Sequence, residues 1–169
     1  MNQSLAEFAP TIYRYLLRTT GNVHLAEDLT QETLLRGWRA RAQLRDPNRT
    51  KVWLLRIANN AWYDHQRSKK RKPAHETLLD SAVPIPPTQE KLVSDQEQVE
   101  MALAAMQSLP PRQREVMHLS VCENLSLAEI AEVLEIDRGT VKSNMSLARQ
   151  RLRSRLKNLL PQETRNIES

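Results

Sequence analysis

Apolar residues recur three and four positions apart over long windows of the chain, with no sustained alternation, so helices are expected and strands are not. Leu5, Phe8, Ile12 and Leu16 mark a first amphipathic helix that ends near Gly21. Asn22 is placed to cap a second, over about residues 23–42, in which Ala26, Leu29, Thr33, Gly37 and Ala40 form one narrow stripe. Residues 43–51 hold Pro47 and Asn48 and are expected to be a loop, because proline lacks the amide donor and restricts its predecessor. A third helix is expected over about residues 52–71. The passage 72–87 carries Pro73, Pro84, Pro86 and Pro87, cannot continue a helix, and serves as a linker.

Helical spacing resumes over about residues 88–108 and stops at Pro110. Pro111 suits the first turn of a helix reaching about Ser120. Ser126 and Glu129 form a capping-box signature ahead of Ile130, Ala131 and Leu134, and Asp137 is placed to cap a final helix. The intervening turn, Glu135 to Asp137, makes these two helices a helix-turn-helix candidate. The expected fold is all-α: a domain over 1–71, the linker 72–87, a domain over 88–160 containing the helix-turn-helix, and a tail over 161–169.

Three helix faces point to binding. An advance of about 100° per residue puts Leu54, Ile57, Ala58 and Ala61 on one side of the third helix. Arg56, Asn60, Tyr63, Arg67 and Lys70 fall opposite, with no acid among them. Cations for phosphates, an aromatic for stacking and an amide for a base edge suit a nucleic-acid strand. On the second helix, Asp28, Gln31, Leu35 and Trp38 share the face opposite the small-residue stripe. Two alternatives stay open there: Leu35 and Trp38 pack against the first helix, or they anchor a protein partner. On the last helix, Val141, Met145, Ala148 and Leu152 point inward, whereas Gly139, Ser143, Ser146 and Leu147 point outward, flanked by Thr140, Lys142 and Asn144. Small polar residues let a helix approach the floor of a major groove, while basic flanks hold phosphates.

Charge sharpens this picture. Formal net charge is +5, but from Arg36 to Lys72 there are twelve cations against Asp46 and Asp64, and from Arg138 to Lys157 seven cations and no acid. Between them, Glu76 to Leu103 carries six acids against Lys91, so two basic islands, each suited to a polyanion, flank an acidic stretch. Aromatics are 4% of residues, which leaves Leu, Ile, Val and Ala to fill the core. Cys122 is the only cysteine, so neither an intramolecular disulfide nor a cysteine-rich zinc site is available. His118 lies four residues earlier with no third ligand nearby in sequence, so a packed cysteine and no metal are expected. No stretch approaches the about 20 apolar residues of a membrane span, and a cytoplasmic protein without stable membrane insertion is expected.

In sequence order these segments resemble extracytoplasmic-function sigma factors. Ala26-Glu27-Asp28-Leu29-Thr30-Gln31-Glu32-Thr33 with Trp38 is similar to that family's helix for the polymerase clamp. Trp53-Leu54, Arg56-Ile57-Ala58, Asn60, Asp64 and Arg67 resemble its helix for the melted minus-ten element. Leu109-Pro110-Pro111-Arg112-Gln113-Arg114-Glu115-Val116, Leu125-Ser126, Glu129-Ile130-Ala131 and Gly139-Thr140-Val141-Lys142-Ser143 resemble its minus-thirty-five reader. The resemblance implies binding to core RNA polymerase through Asp28, Gln31, Glu32, Leu35 and Trp38, and to the minus-ten strand through Arg56, Asn60, Tyr63, Arg67 and Lys70. It also implies that the loop 43–51, with Arg45, Asn48 and Arg49, helps hold a flipped minus-ten base. Arg138, Gly139, Thr140, Lys142, Ser143, Asn144, Ser146 and Leu147 would meet minus-thirty-five duplex. An anti-sigma factor is the implied inhibitor, and no cofactor is implied.

The chain departs from the family's pattern at Leu34, where Phe is frequent, at Glu135, where the turn often has Gly, and at Leu147, where an outward Arg is common. Two other functions are set against this one. A conventional helix-turn-helix regulator would bind duplex without polymerase. An enzyme would use His24, His65, His75 or His118 as a base, but these fall in unrelated segments with no nucleophile constellation or phosphate loop.

Overall fold

A computed structural model describes residues 4–71, 100–102 and 104–159, all of whose regular elements are helical. The expected linker, most of the expected helix 88–108, the tail and His75 lie outside the described residues. The described residues fall into two compact units: 4–71 with Ala128–Ile136, and 100–127 with 137–159.

In the first unit a 3-10 turn, Leu5–Phe8, leads into α1 (Ala9–Thr20), with Pro10 in the first turn where its missing amide costs no hydrogen bond. Gly21 ends α1 in the left-handed conformation at φ 66°, and its N–H donates to the Leu17 carbonyl at 2.9 Å. Asn22 then caps α2 (Val23–Ala40), accepting from the Leu25 amide at 2.9 Å. α2 stops two residues short of expectation and tightens into a 3-10 turn, Arg41–Gln43. The expected loop is itself partly helical. Asp46 caps a 3-10 turn at Pro47–Arg49, and Thr50, whose hydroxyl donates to the Pro47 carbonyl at 2.6 Å, begins α3 (Thr50–Arg71).

The small-residue stripe sets how closely α2 and α3 approach. A Cβ added at Gly37 would lie 2.8 Å from Leu54 Cδ2. Ala26, Leu29, Thr33 and Gly37 are buried, and Ala40 at the helix end is half-buried. α3 buries more than the expected face: Val52, Trp53, Leu55 and Asn59 join Leu54, Ala58 and Ala61, while Ile57 is half-buried. α1 packs against both α2 and α3, so α3 is covered on two sides rather than one. Asn59 is satisfied inside this unit, accepting from the Tyr15 hydroxyl at 3.2 Å and donating to the Val133 carbonyl at 3.3 Å.

In the second unit, α4 (Pro111–Met117) passes into a π-helical turn, His118–Cys122, instead of remaining α-helical to Ser120. The wider turn changes the helix phase, so His118 is buried while Cys122 is exposed. The expectation of a packed cysteine is therefore corrected. α5 (Leu127–Leu134), which after Leu127 belongs to the first unit, and α6 (Arg138–Leu159), which belongs to the second, are separated along the chain by the expected three residues, and Glu135 there takes the left-handed conformation at φ 53°. α4 packs on α6, where Val116, Met117, Val141, Met145 and Ala148 are buried and Arg151 donates to Gln113 at 3.0 Å.

Candidate protein and nucleic-acid interfaces

On α2 the structure removes one of the two alternatives for its outer face, packing of Leu35 and Trp38 on α1. Leu35 and Trp38 remain 52% and 59% exposed, so neither is consumed by packing on α1. Asp28 and Gln31 are exposed beside them, which leaves two large apolar side chains framed by hydrogen-bonding groups. Glu32 is held differently. Its carboxylate accepts from Arg36 Nε at 2.7 Å, and Arg36 Nη1 reaches across to Asp64 at 2.8 Å. Asp64 also accepts from Arg67 at 2.7 Å, so one carboxylate ties α2 to α3 and holds a proposed phosphate-binding arginine. The two guanidiniums, Arg36 foremost, hold Asp64 below the ordinary carboxylate range, and Asp64 with Glu32 raises Arg36.

α3 brings Arg56, Asn60 and Tyr63 to the half-buried edge of the unit and leaves Arg67 and Lys70 exposed. In the preceding turns Arg45 and Asn48 are exposed, and Arg49 pairs with Glu132. The minus-ten candidates thus divide into side chains seated at the rim of a core and long cations beyond it.

α6 is arranged otherwise. Asp137 caps its first turn, accepting from the Thr140 amide at 2.9 Å and from the Thr140 hydroxyl at 2.5 Å. Those bonds, the hydroxyl first, lower the Asp137 pKa. Gly139 leaves room for this cap, since a Cβ there would stand 2.9 Å from Asp137 Oδ1. Asn144 donates to the Thr140 carbonyl at 2.9 Å, so Thr140 and Asn144 are half-buried and engaged within the helix. Arg138, Gly139, Lys142, Ser143, Ser146 and Leu147 are exposed, and Leu147 at 47% is not covered by a neighbouring helix.

Two features escaped sequence reasoning. The Arg36–Asp64 bridge joins residues 28 apart and has no sequence signal of its own, whereas the Glu32–Arg36 and Asp64–Arg67 limbs on either side of it have i,i+4 and i,i+3 spacing. Beyond the expected groove-facing set, Arg149, Arg153 and Lys157 line a surface groove with Lys142 and Leu127. Among the described residues no group of three His, Cys, Asp or Glu is placed to hold a metal, and no helix is long and apolar enough to cross a membrane. His24 is exposed near Glu27, His65 stacks on Trp62, and His118 is buried, each in a separate local setting.

Residues 5–72 match the family Sigma-70 region 2, and residues 100–152 match Sigma-70, region 4. The chain is 35% identical over 157 residues to the ECF RNA polymerase sigma factor SigE of Mycolicibacterium smegmatis, across 92% of this chain and 61% of that protein. It is 32% identical over 148 residues to the ECF RNA polymerase sigma factor SigM of Bacillus subtilis, across 85% of this chain and 86% of that one. The chain thus spans less than two thirds of SigE and most of SigM. Its structure is similar to the sigma factor RpoE of Bartonella quintana, solved in complex with the anti-sigma factor NepR, with TM-score 0.72 and 25% identity over 90% of this chain and 94% of that one.

Proposed function

The chain belongs to the extracytoplasmic-function family of RNA polymerase sigma factors, and from that premise we propose that it docks on core polymerase, recognises minus-ten and minus-thirty-five promoter elements and promotes melting. The observation that carries the polymerase step is the exposed pair Leu35 and Trp38 on α2, framed by Asp28 and Gln31. Glu32 borders this face through its bond to Arg36. Aromatic anchors surrounded by polar groups are what a specific protein interface requires.

Residues 1–71 form the polymerase and minus-ten module, and residues 88–160 the minus-thirty-five module. Asn60 and Tyr63 capture bases of the opened strand, while Arg56, Arg67 and Lys70 hold its phosphates. Arg45, Asn48 and Arg49 flank the flipped base. From α6, Lys142 and Arg138 grip the duplex backbone, and Gly139, Ser143, Ser146 and Leu147 face the groove floor, with Thr140 and Asn144 shaping the helix that presents them. The protein catalyses no bond chemistry, needs no cofactor and acts in the cytoplasm. Bartonella RpoE is held by an anti-sigma factor, and we propose an inhibitor of that kind here.

In-vitro transcription with purified core polymerase over a promoter library tests this function. Specific initiation is expected, and a folded protein that stimulates none would remove it. Trp38→Ala should weaken core binding well over tenfold, because a central aromatic anchor contributes about 2 kcal/mol or more. The runner-up, a conventional helix-turn-helix regulator, calls for duplex binding that is indifferent to polymerase, and the region 2 match counts against it.

A further inference from the structure

Trp38 holds an unusual position: the indole stands largely in solvent, yet it is not loose. The guanidinium carbon of Arg41 lies 4.0 Å from the ring centroid, well inside the about 6 Å reach of a cation–π contact. The same guanidinium donates through Nη1 to the Trp38 carbonyl at 2.6 Å, and the Arg41 backbone N–H donates to that carbonyl as well. The carbonyl is one of the last in α2, where the helix leaves acceptors without intrahelical donors. Arg41 opens the 3-10 turn that follows, so the tightening of the chain at Ala40 is what brings its side chain back over the ring.

We infer that Arg41 is a positioning residue for polymerase docking: its guanidinium, fixed to the carbonyl of Trp38 and stacked on the indole, holds that ring in one orientation and leaves its other face and edge, beside Leu35, for the partner. The inference rests on the proposed role of the α2 face and adds to it. An anchor ordered before binding loses less side-chain freedom on docking. Only a planar, fixed cation does this well, since a lysine ammonium neither stacks as a plane nor spans ring and carbonyl with one rigid fork.

The experiment is equilibrium binding of core polymerase to the full chain and to Arg41→Ala, Arg41→Lys, Trp38→Ala and the Trp38→Ala/Arg41→Ala double variant, with melting temperatures and amide-and-indole NMR spectra of the free proteins. Arg41→Ala should lower core affinity about two- to fivefold, the equivalent of an exposed cation–π contact. Arg41→Lys should fall between it and the parent, and the double variant should bind no more weakly than Trp38→Ala. In the free Arg41→Ala protein the Trp38 indole N–H resonance should shift while those of Trp53 and Trp62 and the melting temperature hold. The inference is overturned if Arg41→Ala is equally damaging in the Trp38→Ala background, since Arg41 would then touch polymerase itself. It is also overturned if Arg41→Ala is silent while Trp38→Ala is not. A silent Trp38→Ala removes the polymerase role of the α2 face and the docking role of Arg41 with it. The indole shift then reports separately whether the stack forms.

Discussion

α3 and α6 are both 22-residue basic helices assigned to DNA, yet they are built in opposite ways. α3 is embedded: eight of its residues are buried, and Arg67 is engaged by Asp64. α6 is lightly anchored through Val141, Met145 and Ala148, and it carries seven cations with no acid in its own span. In α3, then, scaffold and binding edge share one surface, and a substitution disturbs both. In α6 the face proposed to meet DNA is separable from what holds the helix.

The largest effect should fall on the embedded helix. Leu54→Ala removes a side chain with no exposed area and opens a cavity where α2 comes closest, so it should cost about 2–5 kcal/mol in denaturant unfolding. Ser143→Ala, exposed on α6, should stay within about 0.5 kcal/mol of the parent while altering promoter preference. Equal destabilisation by the two would erase the contrast.

Next in size is base readout at Leu147. Leucine offers guanine no hydrogen bond, and its methyl groups suit contact with a thymine methyl. Leu147→Arg should therefore move one upstream position towards guanine with about 1–3 kcal/mol of discrimination, because a bidentate pair to O6 and N7 becomes available. Selection from randomised minus-thirty-five duplexes measures it. Identical preferences from equally stable proteins would take Leu147 off the reading face.

Much of this division was legible in the sequence. Periodicity placed α1, α2, α3, α5 and α6 within a few residues, because caps and breakers such as Asn22, Gly21 and Asp137 act locally. The small-residue stripe marked the face that α2 buries, but that α3 approaches it most closely at Gly37 came from the packing. What escaped was set by packing or by the exact turn of the backbone. Asn59 lies beside the expected polar stripe, and its burial depends on Tyr15, 44 residues away. The π-helical turn at His118–Cys122 moved Cys122 outward, a phase change that no local residue announces. Among the site residues, the exposure of Leu35 and Trp38 needed coordinates, since a wheel gives the face and not what covers it.

The entries into the two helices differ as well, and a smaller effect is expected there. α3 is entered through the 3-10 turn capped by Asp46, with Pro47 fixing its backbone, whereas α6 is entered through Glu135 at φ 53°. A side chain in that region is disfavoured by roughly 1–2 kcal/mol, part of which glycine returns through its freedom when unfolded. Glu135→Gly should stabilise the protein by about 0.5–1 kcal/mol, seen as a raised melting temperature. No gain, or a loss, would mean that the Glu135 side chain supports the turn by more than its backbone strain costs.

The finest test concerns Asp64 and Asp137, both held below the ordinary value of 3.8 for different reasons. Because both values are lowered on folding, each contributes stability that is present above the unfolded pKa and lost as pH falls through the folded one. Asp64 owes its shift to Arg36 and Arg67, and its side chain is 44% exposed, so the stabilisation is modest and open to screening. Asp137 owes its shift mainly to the hydroxyl and amide of Thr140, which are neutral donors. At about 1 M salt the screening length shrinks to roughly 3 Å, and the Asp64 pKa should climb back towards its ordinary value while Asp137 moves less. Carboxyl-carbon NMR titrations at low and high salt give both values in one sample. An Asp64 that already titrates at its ordinary value at low salt and does not move at high salt would mean that its pairs with Arg36 and Arg67 do not persist in solution. Among the described residues α3 would then present Arg67 without an acidic partner, as α6 presents Lys142 and Arg149.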